Sequence, residues 1–296
     1  MPHVGFIGFG EAAYYISKGL IEHSDAKIYS YDINMDQPSF KTQILERAYD
    51  ANVTLVSTLQ ELLKQCSIVF SATSAKYAEA VAMECQNYLN EEHLFIDINA
   101  TSADTQEKIA DHILKKTKNY VDAAVMGSLP AYYHKVPMFI SGNGVQNFEL
   151  FANKFEMNIE IVDHTPGSAS AIKMNRSIFM KGITALLIET LSAGYRSNTI
   201  QLTLQSIATT FNDTEFEKLS HSLISRTATH AQRRIAEMEE VLNTLSKINV
   251  DSSMSQATKQ KLELITKLNV QDNELKESNS YLPLIRTLNT GRVHLD

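Results

Sequence analysis

Tryptophan is absent from this 296-residue chain, and cysteine occurs only twice, at Cys66 and Cys85. Two cysteines cannot build the disulfide framework of a small secreted domain, and no CxxC pair offers zinc-ligand spacing. Cations are the minority charge, with 27 Lys+Arg against 34 Asp+Glu and a net charge of −7, so the chain as a whole repels phosphate backbones. That argues against a general nucleic-acid binder. No uninterrupted apolar run approaches the ~18–20 residues of a spanning helix, and Met1–Gly10 lacks the basic start and small-residue cleavage site of a signal peptide. The expectation is a cytoplasmic protein with no membrane partner. Neither a Walker A sequence nor a Gly-x-Ser-x-Gly elbow is present, which leaves phosphoryl transfer and serine hydrolysis without a foothold. Proline numbers only six, and no low-complexity tract or internal repeat interrupts the chain.

What is present suits a globular protein of one large or two ordinary domains: 44% hydrophobic residues and 21% charged. The first half alternates short apolar runs with amphipathic stretches. Strands are expected at His3–Gly8, Lys27–Asp32, Ser67–Thr73, Leu94–Asn99, Tyr120–Val125 and Val136–Ser141. Segments of helical spacing lie between most of them, at Phe40–Ala51, Tyr77–Leu89 and Thr105–Lys115. This alternation predicts βαβ units and an α/β fold with a doubly wound parallel sheet. The pattern changes at His164-Thr165-Pro166-Gly167, after which Ser168 or Ser170 opens a long helix reaching Arg196. Helical spacing then continues over Ile200–Phe211, Glu215–Ile248, Gln256–Leu268 and about Tyr281–Leu288. The boundary is placed near residue 164, giving an α/β domain over 1–164 and an all-helical domain over 165–296.

The opening strand runs into Gly8-Phe9-Gly10-Glu11-Ala12-Ala13, a G-x-G-x-x-A turn leading to a helix. Gly8 permits the tight turn, Gly10 lets the backbone approach a pyrophosphate, and Ala13 is small enough for helix–strand packing. The helix N-terminus supplies a positive dipole to phosphates. Gly8, Phe9, Gly10, Glu11 and Ala12 are therefore candidate cofactor contacts. Asp32 ends the second strand at the spacing expected of the carboxylate that binds the adenosine ribose diol. A carboxylate there repels a 2′-phosphate, and the next residues, Ile33-Asn34-Met35, bring no cation, so NAD is favoured. A cation from a neighbouring loop would admit NADP. An unrelated glycine turn with Asp32 as a helix cap is the alternative reading of the same residues.

Three further stretches follow in order: Asp97-Ile98-Asn99-Ala100-Thr101-Ser102, Asp122-Ala123-Ala124-Val125-Met126-Gly127-Ser128, and Gly167 through Lys173-Met174-Asn175-Arg176. With Gly8 and Gly10, their order and spacing resemble the β-hydroxyacid dehydrogenases, the group of 3-hydroxyisobutyrate and 6-phosphogluconate dehydrogenases. Lys173-Met174-Asn175-Arg176-Ser177 and His230-Ala231-Gln232-Arg233-Arg234 are similar to a branch with a phosphogluconate-dehydrogenase-like helical C-terminal domain. The resemblance implies that Ser71, Ala72 and Thr73 line the nicotinamide side of the cofactor. It implies that Asn99, Gly127 and Ser128 contact substrate, and that Lys173 is the catalytic lysine. Two positions depart from the family: Met126 replaces the Ser of its Ser-Gly-Gly loop, and Arg176 replaces an Asn three residues after the lysine.

The lysine also makes chemical sense. Oxidising a secondary alcohol needs a base for the hydroxyl proton while hydride leaves for a nicotinamide. Lysine serves when burial and a like charge favour its neutral form, and Arg176 at i+3 on the same helix face is placed to supply that charge and to hold a substrate anion. The expected function is hydride transfer between NAD(P) and a small 3-hydroxy acid or its semialdehyde. Alternatives are a catalytically silent dinucleotide sensor and an imine or carbonyl reductase. The expected partners are a small anionic metabolite and a second copy, because the apolar run Ile183–Ile188 is wider than one exposed helix face justifies. His230, Arg233 and Arg234 share a helix face and either bind an anion or pair with nearby glutamates. The other histidines, from His3 to His294, show no metal-ligand spacing.

Overall fold

Apolar residues fill nearly every position of the first-half strands because both faces of their sheet are covered. The computed structural model describes residues 3–268 and 280–290. Its α/β part runs β1 (His3–Ile7), α1 (Glu11–Glu22), β2 (Lys27–Tyr31), α2 (Pro38–Asp50), β3 (Thr54–Leu55), α3 (Leu59–Gln65), β4 (Ile68–Ser71) and α4 (Ala78–Cys85). It continues with β5 (Leu94–Asp97), α5 (Ala103–Ile113), β6 (Asn119–Val125), α6 (Leu129–Tyr132), β7 (Met138–Ser141), α7 (Val145–Lys154) and β8 (Ile159–Asp163). The eight strands form one sheet in the order β3-β2-β1-β4-β5-β6-β7-β8. Strand order reverses between β1 and β4, the point where open α/β sheets leave a crevice at the carboxyl ends of their strands.

Successive side chains on a strand face opposite ways. Phe6, Phe70, Ile96 and Val121 accordingly join one buried cluster. Their chain neighbours Ile7, Val69, Phe95 and Tyr120 join another on the opposite face. Phe6 stacks on Phe70 with centroids 5.0 Å apart.

Three features differ from the sequence expectation. The sheet is not wholly parallel, since β6 and β7 pair antiparallel. The connection between them carries the four-residue α6 and a short 3-10 helix, Tyr133–Lys135, and closes on itself through Met126 N–H to Pro137 O at 2.8 Å. It doubles back at one end of the sheet, whereas a parallel crossover must run the sheet's length. Strands β3 and β8 went unanticipated: the first has two residues, and the second is an edge strand with exposed Ile161 and Val162.

Every described element after β8 is helical: α8 (Ser168–Arg196), α9 (Ile200–Asn212), α10 (Phe216–Lys247), α11 (Ser253–Thr266) and α12 (Leu282–Thr290). Gly167, at φ +95°, makes the turn into α8, and a Cβ there would meet the Ala103 carbonyl oxygen at 2.9 Å. The chain forms two compact units, 1–178 and 179–296, so the division falls inside α8. In the second unit Ala231, Ile265 and Leu284 form the buried cluster. Glu189 of α8, itself buried, accepts hydrogen bonds from Met254 N, Ser255 N and Ser255 Oγ at the start of α11. By length and composition alone α8 could cross a membrane. Lys173, Arg176, Lys181 and Glu189 punctuate the helix, so its apolar residues form no uninterrupted run of that length.

Candidate active site

The glycine turn after β1 is built as its residues require. Gly8 has φ +88°, and a Cβ on it would lie 2.6 Å from the Ala72 carbonyl oxygen. At Gly10 the space a Cβ would take is empty, and no side chain caps α1 there. The first-turn N–H groups of α1 therefore present a cradle for an anion beside open backbone. Asp32 binds this turn to β2, with Oδ2 accepting from Phe9 N–H at 2.8 Å. Its Oδ1 accepts from Asn34 N–H at 2.8 Å and Asn34 Nδ2 at 3.1 Å. Oδ2, with one donor, keeps a further lone pair for a ligand.

A cavity of about 760 Å³ opens here, lined by Gly8, Phe9, Gly10, Glu11, Ala12, Asp32, Ala72 and Thr73 among others. These are the expected cofactor residues except Ser71, which is fully buried behind the wall. Residues not foreseen complete it: Phe40 and Arg47 from α2, Tyr77 just before α4, and Glu84 within it. Phe40, Ile44 and Arg47 share one helix face at i, i+4 and i+7, the pattern in the sequence that could have revealed them. Burial, then the carboxylates of Glu84, Asp32 and Asp36, push the Tyr31 phenol upward, the sign of a negative field at this end.

A second cavity of about 420 Å³ shares Ala12, Ala72 and Thr73 with the first. Its other walls are Ile98, Asn99, Ala100, Val125, Gly127, Leu129 and Lys173. The structure thus brings together Thr73, Asn99, Gly127 and Lys173, four residues expected from separate stretches. Ser128 and Arg176 are not in this wall. Ser128 is exposed at the start of α6, and Arg176 is exposed on α8 one turn beyond the lysine.

Two buried carboxylates that the sequence reading left aside position this site. Asp122, fully buried in the middle of β6, accepts from Ser170 N at 2.9 Å, Ser170 Oγ at 2.7 Å and Ser141 Oγ at 3.3 Å. Burial raises its pKa, and the bonds from Ser170 oppose the rise. It anchors the first turn of α8, the turn before Lys173. Asp97, also fully buried, collects Asn99 N at 2.9 Å, Asn99 Nδ2 at 2.8 Å and Gln106 Nε2 at 3.0 Å. Asp97 ends β5, and Asp122 interrupts the apolar run of β6, which is the signal their sequence carried.

The cationic face on α10 does not gather into a site. Arg233 pairs with Glu237 at 3.4 Å on an exposed surface, Arg234 donates to Thr227, and His230 sits at a kink with φ −119°. No group of three metal-ligating side chains occurs among the described residues, and His294 lies outside them.

Comparison with known proteins agrees with this geometry. Residues 3–101 match the family described as NADP oxidoreductase, coenzyme F420-dependent. Residues 196–265 match the domain of unknown function DUF1932. A conserved hypothetical protein from Sinorhizobium meliloti is 30% identical, with 98% of this chain and 96% of that one covered and a TM-score of 0.60. A second structure, of a conserved protein of unknown function described as structurally similar to 3-hydroxyacid dehydrogenases, is also 30% identical. There the match covers 90% of this chain and 97% of that one, with a TM-score of 0.59. The chain belongs to the 3-hydroxyacid dehydrogenase-like family. An imine reductase from Myxococcus stipitatus, solved in complex with NAD+, shares the fold at 14% identity, with 97% and 99% coverage and a TM-score of 0.73. The fold of this family member is that of an NAD(P)-dependent oxidoreductase.

Proposed function

We propose that this chain exchanges hydride between NAD and a small 3-hydroxy acid or its semialdehyde, with Lys173 as the general acid–base. The observation that carries the reading is the wall the two cavities share, Ala12, Ala72 and Thr73, with Lys173 across the second cavity. A dinucleotide whose phosphates rest on the Gly8–Ala12 turn would extend along that wall and bring its reactive end to the lysine's cavity. When bound, the nicotinamide supplies or accepts the hydride. The chain's own residues do the rest. Lys173 takes the hydroxyl proton during oxidation and returns it during reduction. Asp122 holds the lysine's helix to the sheet, and the apolar walls Ile98, Val125 and Leu129 keep water from the reacting carbon. A lysine in the cavity wall supports an active enzyme over a silent sensor, and favours an alcohol over an imine as the reduced partner.

Asp32, aided by the negative field of Asp36 and Glu84, favours a free ribose diol over a 2′-phosphate. Arg47, in the same wall, is the cation that would oppose this preference. The functional unit we propose is a homodimer. Along α8 and α9, Ile178, Leu186, Ile188 and Leu202 are exposed, and such a face needs a cover. The charged Lys173, Arg176, Lys181 and Glu189 within α8 favour a protein partner over lipid.

An absorbance screen of 3-hydroxy acids and semialdehydes, with NAD and NADP in parallel, tests the reading. Turnover is expected with at least one short 3-hydroxy acid, and NADH should bind at least about tenfold tighter than NADPH. Because the chain lacks Trp, the fluorescence of the reduced cofactor reports its binding against a low background. Turnover of amines but not alcohols would replace the substrate class. Equal or tighter NADPH binding would assign the adenosine end to Arg47.

A further inference from the structure

We propose that a buried chain of hydrogen bonds locks the Asn99 side chain with its oxygen toward the second cavity, so that this subsite accepts a hydroxyl or ammonium donor and rejects a carboxylate. The proposal deepens the function proposed above and rests on it for the identity of the cavity. It begins at Tyr120, whose hydroxyl, fully buried, donates to Gln106 Oε1. A phenol hydroxyl can donate or accept, so the Gln106 amide is oriented from its other end. Its Nε2 then donates to Asp97 Oδ1 at 3.0 Å and Thr101 Oγ1 at 2.8 Å. Asp97 Oδ1 also accepts the Asn99 backbone N–H at 2.9 Å. Every neighbour of this carboxylate donates to it.

Asn99 follows from that arrangement. One hydrogen of its Nδ2 goes to Asp97 Oδ2 at 2.8 Å and the other to Ser71 Oγ at 2.9 Å. Turning the amide over would withdraw both donors and set its oxygen against the fully buried carboxyl of Asp97, whose pKa burial raises and the bonds from Gln106 and Asn99 hold down. Asn99 Oδ1 is left facing the cavity, with the Thr73 hydroxyl at 3.4 Å, a long contact that a better donor can displace. A ligand carboxylate at this point would face an acceptor that cannot turn. An O–H or N–H on the carbon beside an apolar body would be satisfied. Asp97, Gln106, Tyr120 and Ser71 are thus positioning residues acting through Asn99, and the arm of the substrate that meets Asn99 is one that carries a donor.

The test uses the full chain saturated with NADH and two probes of the same shape, 3-hydroxyisobutyrate and methylmalonate, which differ by CH2OH against carboxylate on one arm. Neither reacts with NADH, so calorimetry reads binding alone. The wild type should prefer 3-hydroxyisobutyrate by at least about tenfold. In Asp97→Asn an amide nitrogen placed where Oδ2 stood donates to Asn99 and turns it over, so the preference should fall at least about tenfold. NADH affinity should stay unchanged. Should Asp97→Asn fail to fold, Ser71→Ala, which frees one Nδ2 hydrogen, should move the ratio the same way by less. Equal wild-type affinities, binding of neither probe, or an unchanged ratio in a folded variant would overturn the proposal. An intact ratio that shifts in Asp97→Asn, without turnover of hydroxy acids by NAD, would sink the dehydrogenase reading and leave this one standing.

Discussion

The two units of the chain finish their interiors differently. In the first, two clusters cover both faces of the sheet, and side chains as large as Phe6, Phe70, Phe95 and Tyr120 are wholly buried. In the second, the buried cluster among the described residues is small, while Ile188 is 64% exposed and Leu202 71% exposed. A sheet with helices on both faces satisfies its own apolar residues. A set of helices that leaves its apolar residues outside needs another surface to complete it. The contrast separates the unit that holds the candidate site from the unit whose apolar faces lie open. Both cavities and Lys173 belong to the self-sufficient unit, and the unfinished faces belong mainly to the other.

The sharpest way to break the comparison is to truncate one apolar side chain from each unit. Phe70→Ala should cost about 3–5 kcal/mol of unfolding free energy, the usual range for a buried aromatic. Leu202→Ala should cost less than about 0.5 kcal/mol where the chain is monomeric, as an exposed substitution does. At higher concentration it should weaken self-association, read as a concentration-dependent melting temperature. Chemical denaturation with light scattering decides both, and similar losses at low concentration would erase the distinction.

A smaller effect sharpens the first half of it. Burial in the first unit extends even to His134, which is 1% exposed with its ring centroid 4.5 Å from that of His23. Burial, then the nearby His23 and Lys135 charges, lower its pKa from the ordinary 6.5 to about 4, with Glu156 opposing. Between those values the unfolded chain takes up a proton that the folded chain refuses. Stability should therefore be complete above about pH 6.5 and decline as pH falls toward 4, by on the order of 2–3 kcal/mol. In His134→Phe this part of the pH dependence should vanish. A profile equally steep in the variant would place the titration elsewhere.

Much of the fold was legible in the sequence, and the reasons are local. Strong periodicity sets β1, β4, β5 and α8 within a residue or two of their expected ends, because apolar spacing and the Gly8 and Gly167 turns act over short range. Strand β3 was hidden because two residues carry no period, and the reversal at β7 because direction depends on how a connection travels. At the site, the glycine turn, Asp32, Thr73, Asn99, Gly127 and Lys173 were readable as motif positions. Arg47, Asp97 and Asp122 were not read, since their parts depend on partners such as Gln106 and Ser170 that only the folded sheet brings near. Arg176 marks the opposite limit: helical spacing puts it one turn from Lys173, yet it lies outside the cavity wall.

The central claim is that Lys173 is the acid–base group of a nicotinamide-dependent enzyme. Its most direct test compares Lys173→Met with the wild type, measuring kcat for a 3-hydroxy acid found by the screen alongside NADH affinity by cofactor fluorescence. The account predicts a fall in kcat of ~10²–10⁴-fold, the usual range for one acid–base group, with NADH binding unchanged. Turnover at the wild-type rate in the folded variant would contradict it.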